Sequence, residues 1–179
     1  MGVCETIWRP FGCPFERINA VKDDNGGLGC VKSHIMALEY AKVLDALNIK
    51  YEVIGRGEKS AKSFKDNIGH TVQIGGHKKW LKRKGFKFPP SAIVAVNVEQ
   101  LAFVTIDLLN SGFNNILVEK PAGLNKESIQ QVSQLAKENN ANVFIAYNRR
   151  FYASTLRAKE IIKNDGGVTS FNFEFTEWA

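Results

Sequence analysis

The sequence of 179 residues predicts an α/β protein built on a doubly wound parallel sheet. Strand-like and helix-like segments alternate between about residues 50 and 150. The run SAIVAV, residues 91–96, is continuously apolar, which is typical of a strand buried on both faces of a parallel sheet. The closing segment 168–178 instead alternates apolar and polar residues. That pattern predicts the first strand of a second domain, of the α+β class with an antiparallel sheet.

Each element follows from a local pattern. Apolar residues recur every three or four positions from Cys30 to Asn48, which predicts an amphipathic helix. Gly112 is a suitable helix stop, and Asn125 a suitable N-cap. The predicted strands are 50–55, 70–76, 91–96, 114–120 and 141–148, and the later helices are 60–68, 77–85, 99–112, 125–140 and 152–167.

These elements group into three segments. Residues 26–150 form the predicted nucleotide-binding-type α/β domain, and residues 151–179 a linking helix with the first strand of the second domain. Residues 1–25 are an atypical N-terminal segment, which we interpret as an altered N-terminus. Its best strand candidate, Ile18–Lys22, is short and poor, although a central strand is needed to pair the backbone groups of its neighbours.

Composition narrows the class of protein. A hydrophobic content of 44% and a charged content of 23% suit a globular chain, and no apolar run approaches the roughly 20 residues of a membrane span. The sequence lacks a recognisable export signal, so we expect a cytoplasmic protein with no membrane partner. Its three cysteines have no metal-site spacing, so we expect reduced, unligated thiols and no metal; they are Cys4, Cys13 and Cys30.

The densest basic stretch, residues 77–87, admits two interpretations. Lysines and arginines around Trp80 could meet phosphates while the indole stacks on a base. Alternatively, the stretch is a solvated helix face with Trp80 and Leu81 turned to the core. We favour the second interpretation, without a nucleic-acid partner, because one short basic helix is a small footprint.

Polar residues follow three predicted strands at the point where each ends. Asn97 follows the strand at 91–96, Glu119 and Lys120 close the next one, and Asn148 and Arg149 follow the last. Ligands of a doubly wound sheet lie beyond the carboxyl ends of its strands. For Glu119 and Lys120, the alternative to a ligand contact is a surface ion pair between them. For Arg149 and Arg150, the alternative is a pair of salt bridges at the start of the following helix.

The chain resembles the Gfo/Idh/MocA oxidoreductases. The resemblance rests on LVEKPAGLN at 117–125, on AYNRRF at 146–151 and on VAVNVEQLAFVTIDLLNSG at 94–112. It runs from about Gly27 to the end and covers a Rossmann domain, a linking helix and one strand of a substrate domain. It implies hydride transfer between NAD(P) and a hydroxyl-bearing carbon of a sugar or polyol.

The resemblance also implies roles for individual residues. Lys120 would be catalytic and would contact both the nicotinamide ribose and the substrate. A cis bond is expected before Pro121, and Gln100 stands where many relatives have histidine. The remaining implied contacts are Asn97, Glu119 and Pro121 on the cofactor side, and Asn148 and Arg149 on the substrate side.

The segment GGLGCVKSH resembles the family's phosphate-binding loop. Gly27 and Gly29 would be its first two glycines, whereas Lys32 holds the third glycine position. The following strand ends in VIGRGEKS, where an NAD enzyme usually carries an acidic residue. Arg56, with Ser60 behind it, instead suits a 2′-phosphate, so the sequence favours NADP, with NAD as second choice.

Two other functions stay open at this point. A non-catalytic nucleotide-binding or subunit-interaction module would fit the apolar face of the last strand, Phe171, Phe173 and Phe175, which suits association with a second copy through the C-terminal sheet. A basic nucleic-acid-binding protein would depend on residues 77–87 alone.

Overall fold

The computed structural model describes residues 28–32, 35–82, 91–172 and 174, with side chains from Met36 onward. The atypical segment 1–25 and Gly27 lie outside the described residues. Contacts between the described residues define one unit that ends at Tyr147 and a second that starts at Asn148.

The first unit is built on a six-stranded parallel sheet with the strand order β3-β2-β1-β4-β5-β6. This order is that of a Rossmann-type doubly wound sheet, so the predicted fold class is confirmed. The chain builds outward from β1 in one direction and from β4 in the other, which leaves a crevice between their carboxyl ends. The strands are β1 (Leu28–Lys32), β2 (Tyr51–Gly55), β3 (Val72–Ile74), β4 (Ser91–Ala95), β5 (Asn115–Val118) and β6 (Asn142–Ile145).

The central strand comes from an unexpected part of the sequence. Residues 28–32, predicted as a glycine loop running into a helix, form β1. Gly29 pairs with Glu52 on one side and Ala92 on the other, so its prediction as a loop residue is wrong, as is the helix start at Cys30. The physical reason is that β2 and β4 need a strand between them to satisfy their facing backbone groups.

Helices cover both faces of the sheet. Asn125 caps α5 by accepting a hydrogen bond from the Ser128 amide at 2.9 Å, as predicted. Gly112, at φ +90°, ends α4 with the paired backbone bonds of a Schellman motif, also as predicted. The helices of this unit are α1 (Ile35–Ala46), α2 (Glu58–Ile68), α3 (Gly76–Leu81), α4 (Val98–Asn110) and α5 (Lys126–Glu138).

The core has two layers, because neighbouring strand residues point to opposite faces of the sheet. On one face, Val94 and Ile116 pack with the buried sides of α4 and α5. On the other face, α1 and α2 bury Ala37, Leu44 and Phe64. Trp80 of α3 is buried and makes a tilted ring contact with Phe113, at 5.8 Å between ring centroids, whereas Lys78, Lys79 and Lys82 are exposed. The core-facing orientation of Trp80 is therefore confirmed.

The second unit contains a short 3₁₀ helix, Asn148–Phe151, and α6, Ala153–Asn164. Residues 168–172 form no regular secondary structure, so the predicted terminal strand is wrong over these residues. Phe173 and Phe175, the other members of its apolar face, lie outside the described residues, and association through a C-terminal sheet stays a prediction. Within the described ranges, no helix is both long and apolar enough to cross a bilayer.

Candidate functional site

Polar residues gather where the strands of the first unit end. All six strands run in the same direction, so their carboxyl ends share one edge of the sheet. β2 ends at Gly55 and leads into Arg56, β4 leads into Asn97 and α4, and β5 leads into Glu119. This edge, on both sides of the crevice between β1 and β4, is where doubly wound proteins bind ligands.

A cavity opens at this edge between β2, β4, α3 and α4. Its walls are mostly apolar, and its polar groups are few and lie on different elements. The cavity is lined by Ile54, Gly55, Arg56, Gly76, His77, Val96, Gln100 and Val104.

Arg56 lies over a pair of glycines. Gly75 and Gly76 both have positive φ, at +117° and +76°. A Cβ added to Gly76 would be 3.2 Å from Cγ of Arg56, and one added to Gly75 would be 2.6 Å from Cδ of Lys79. The glycine pair therefore lets two cationic side chains lie against the turn that enters α3.

His77 forms the α3 side of the cavity. Its Nε2 lies 2.7 Å from Oδ2 of Asp107 on α4, and its side chain is 14% exposed. Lys78 approaches the same carboxylate oxygen at 3.6 Å, but its side chain is 76% exposed. The carboxylate of Asp107 thus fixes the imidazole in the cavity wall and is itself balanced by an ammonium group from the solvent side.

The turn after β5 carries the LVEKPAG motif. The Glu119 amide donates to the Val94 carbonyl at 2.9 Å, which ties the start of the turn to β4. The Lys120–Pro121 bond is cis, as the family resemblance implied. The Ala122 amide then donates to the Glu119 carbonyl at 2.9 Å and closes the turn. Lys120 and Pro121 are exposed at its tip.

The Glu119 carboxylate faces inward from this turn. Its Oε1 accepts a 2.6 Å hydrogen bond from the Tyr40 hydroxyl on α1, and its Oε2 accepts a 3.2 Å bond from the Lys120 amide. The ion pairs among the described residues do not include one between the Glu119 and Lys120 side chains. Glu119 is therefore positioned by α1 and by its own turn.

The other predicted site residues are more scattered. Ser60, in the first turn of α2, is exposed and donates to the Gly57 carbonyl at 3.1 Å. Asn97 is the N-cap residue of α4, and its carbonyl accepts from the Gln100 amide at 2.8 Å. Asn148 and Arg149 belong to the second unit, where the Arg149 carbonyl accepts from the Thr155 hydroxyl at 3.0 Å.

Sequence reasoning did not identify His77, Gly76 or Tyr40 as site residues. The Gly75–Gly76 pair before a helix was a usable signal for a close approach of another side chain. Tyr40 and His77 carry no such local signal, because their partners, Glu119 and Asp107, are distant in the sequence. In the described part of the chain, no group of three or more His, Cys, Asp or Glu residues is arranged to hold a metal ion.

The strand order defines a Rossmann-type doubly wound fold. Solved structures with this fold include GenD2 from gentamicin A biosynthesis in complex with NAD, at 20% identity and a TM-score of 0.69, covering 83% of this chain and 42% of that one. They also include scyllo-inositol dehydrogenase from Lactobacillus casei with NAD(H) and scyllo-inositol, at 17% identity and a TM-score of 0.67, covering 78% and 41%.

A third is the WlbA dehydrogenase from Chromobacterium violaceum in complex with NADH and UDP-GlcNAcA, at 14% identity and a TM-score of 0.66, covering 81% and 41%. The chain thus spans about two fifths of the length of these dehydrogenases. The resemblance to Gfo/Idh/MocA dehydrogenases is confirmed at the level of the fold. No protein-family model and no curated protein matches the sequence itself.

Proposed function

We propose that the chain is the cofactor-binding part of an NAD(P)-dependent oxidoreductase of the Gfo/Idh/MocA type. The observation that supports this most directly is the mostly apolar cavity at the carboxyl ends of β2 and β4, together with the Glu119 turn at the carboxyl end of β5. Both features lie where a Rossmann-type sheet binds a dinucleotide. The structures with the same fold that contain NAD or NADH support the same assignment.

The described residues fit the adenosine end of such a cofactor. The Arg56 guanidinium, beside the apolar side chains of Ile54, Val96 and Val104, suits a phosphate or a base face. At the other end of the cofactor, the Glu119 carboxylate suits a hydroxyl of the nicotinamide ribose. On the phosphate side, Ser33 and His34 connect β1 to α1 and lie outside the described residues, and Gly29 is a strand residue in the structure. Gly27 lies outside the described residues, so its phosphate contact stays a prediction.

NADP is the proposed cofactor, with NAD as the alternative. Arg56 follows β2 directly, at the position from which an acidic residue would bind the ribose of NAD. Ser60 has an exposed hydroxyl in the first turn of α2, and the Lys79 side chain lies against Gly75, next to the glycine that Arg56 covers. A charged guanidinium can make two parallel hydrogen bonds to a phosphate.

Hydride exchange with a hydroxyl-bearing carbon of a sugar or polyol is the proposed reaction. The bound nicotinamide would supply the hydride chemistry. Lys120, exposed at the tip of the Glu119 turn, is the proposed catalytic residue and would donate hydrogen bonds to a substrate hydroxyl. Pro121 and Asn97 are proposed on the cofactor side, and Asn148 and Arg149 on the substrate side.

Ligand-dependent unfolding of the purified chain tests the proposal. We expect one cooperative thermal transition that both dinucleotides raise, NADPH more than NADH. At about one hundred times its dissociation constant, a ligand stabilises the folded state by roughly 2.7 kcal/mol. A cooperative transition that neither dinucleotide shifts would contradict the proposal.

Turnover separates the proposal from its alternative. A chain that binds NADPH but reduces or oxidises none of a panel of polyols and sugar acids would act as a non-catalytic nucleotide-binding module. Phe171, which is 84% exposed, is the observation in the described residues that favours a partner surface for such a module. Activity that is lost in Lys120→Met, with NADPH binding retained, would support the oxidoreductase.

A further inference from the structure

We propose that Ala122 is a positioning residue: its buried methyl group holds the turn that carries Glu119 and Lys120 in one conformation. The inference rests on the proposed function, because it concerns how the proposed cofactor and catalytic residues are held at the nicotinamide end of the site. Ala122 is itself buried, so it acts on a bound ligand only through those two residues.

The backbone of Ala122 has an uncommon conformation for a residue with a side chain. Among the described residues, three that are not glycine have positive φ: Asn48 at +54°, Ala122 at +75° and Asn140 at +50°. The two asparagines lie just beyond the ends of α1 and α5, where asparagine adopts a left-handed conformation readily. Alanine has no polar side chain to bond to the local backbone and offset the cost. The surrounding structure must therefore hold Ala122 in this conformation.

The methyl group of Ala122 contributes to that hold. Ala122 is 4% exposed and belongs to the apolar core with Ala102 on α4, Val118 on β5 and Val132 on α5. A glycine would adopt the same φ without cost, but it would bury no side chain and would have more conformations available to it. Alanine at this position therefore loses backbone energy and, in return, restricts the turn to the conformation that buries the methyl group.

Both ends of the turn are fixed, and Lys120 lies between them. The Glu119 amide donates to a carbonyl of β4 at 2.9 Å, and the Ala122 amide donates to the Glu119 carbonyl at 2.9 Å. Gly123 then approaches α5 closely, since a Cβ added to it would be 2.6 Å from Oγ of Ser128. Because the Lys120 amide donates to Oε2 of Glu119 at 3.2 Å, a looser turn would misplace both functional side chains.

The test replaces Ala122 with glycine and follows the turn directly by amide hydrogen exchange. Dissociation constants are measured for NADPH and for adenosine 2′,5′-bisphosphate, which lacks the nicotinamide ribose. We expect Ala122→Gly to weaken NADPH by roughly two- to fivefold, which is the conformational freedom of one glycine expressed as affinity. The bisphosphate should bind as it does to the wild type. Protection of the amides of residues 119 and 122 should fall by at least the same factor, while protection within β4 and β5 is unchanged.

Asn140→Gly is the matched control. It also places glycine at a positive φ, but at an exposed position after α5 that leads into the amino end of β6. It should leave the protection of the turn and both dissociation constants unchanged. Ala122→Gly should melt close to the wild type, because relief of the positive φ opposes the loss of a buried methyl group. A merely structural role would change the melting temperature without changing the ratio of the two dissociation constants.

Two results would overturn the inference. One is wild-type protection of the turn in Ala122→Gly, and the other is a ratio of the NADPH and bisphosphate dissociation constants equal to that of the wild type. A wild-type chain that binds neither ligand would instead overturn the proposed function. The exchange rates would then decide by themselves whether Ala122 holds the turn.

Discussion

The Tyr40 hydroxyl donates a 2.6 Å hydrogen bond to Oε1 of Glu119, and so joins two residues that are 79 positions apart. One lies on α1, which follows β1, and the other at the end of β5. The bond therefore spans the crevice side of the sheet, from the helix after the central strand to the turn that carries Lys120. It orients the carboxylate that we propose at the nicotinamide ribose.

Tyr40→Phe should weaken both stability and nucleotide binding. Removing the hydroxyl takes a partner from a partly buried carboxylate, which should lower the free energy of unfolding by about 1–2 kcal/mol. Chemical denaturation and NADPH titration measure the two effects. Tyr51→Phe is the control, because its hydroxyl bonds to Asp45 at 3.0 Å on an exposed surface, where β2 begins. Equal loss of NADPH affinity in both variants would contradict the role given to Tyr40.

Arg56→Ala should change cofactor preference. We expect the affinity for NADPH to fall by about tenfold or more, because a charge-assisted contact with a phosphate is lost, and the affinity for NADH to change much less. Lys65→Ala, in the last turn of α2, is a control that removes the same charge away from the cavity. Both dissociation constants can be measured by calorimetric titration. Parallel losses for the two dinucleotides would show that Arg56 does not read the 2′-phosphate.

Gly76→Ala should weaken nucleotide binding as well as stability. A non-glycine residue at φ +76° costs about 1–2 kcal/mol of backbone energy, and its Cβ would lie 3.2 Å from Arg56 Cγ and displace that side chain. Gly112→Ala has the same backbone cost at φ +90°, but its added Cβ would have no neighbouring atom within 4 Å. This variant therefore measures the backbone cost alone. We expect similar melting temperatures for the two variants but reduced NADPH affinity only for Gly76→Ala.

Asn125→Ala should destabilise the unit without affecting the cavity. The side chain caps α5 through the Ser128 amide at 2.9 Å, and loss of such a cap costs about 1 kcal/mol. Urea denaturation should show a lower midpoint with an unchanged slope. Gln131→Ala, at an exposed position of the same helix, should stay within about 0.5 kcal/mol of the wild type. A midpoint for Asn125→Ala equal to that of Gln131→Ala would contradict the capping role.

Most of the first unit could be predicted because its patterns are local. The apolar run of β4, the period of α4, the helix stop at Gly112 and the N-cap at Asn125 are each contained in a few adjacent residues. β1 could not be predicted, because residues 28–32 carry the glycine spacing of a loop and become a strand only between β2 and β4. The opposite error concerns the terminal strand, which was predicted but is not formed over residues 168–172. An alternating pattern becomes a stable strand only beside a partner strand.

The sequence by itself determined the doubly wound class, the positions of five of the six strands and the polar residues that follow β4 and β5. These depend on periodicity and on turn residues, which act over short distances along the chain. Only the tertiary structure decided which segment fills the centre of the sheet, that Tyr40 orients Glu119, and that Asp107 fixes His77 in the cavity wall. Those relationships join residues far apart in sequence, and they exist because parallel strands bring their carboxyl ends to one edge.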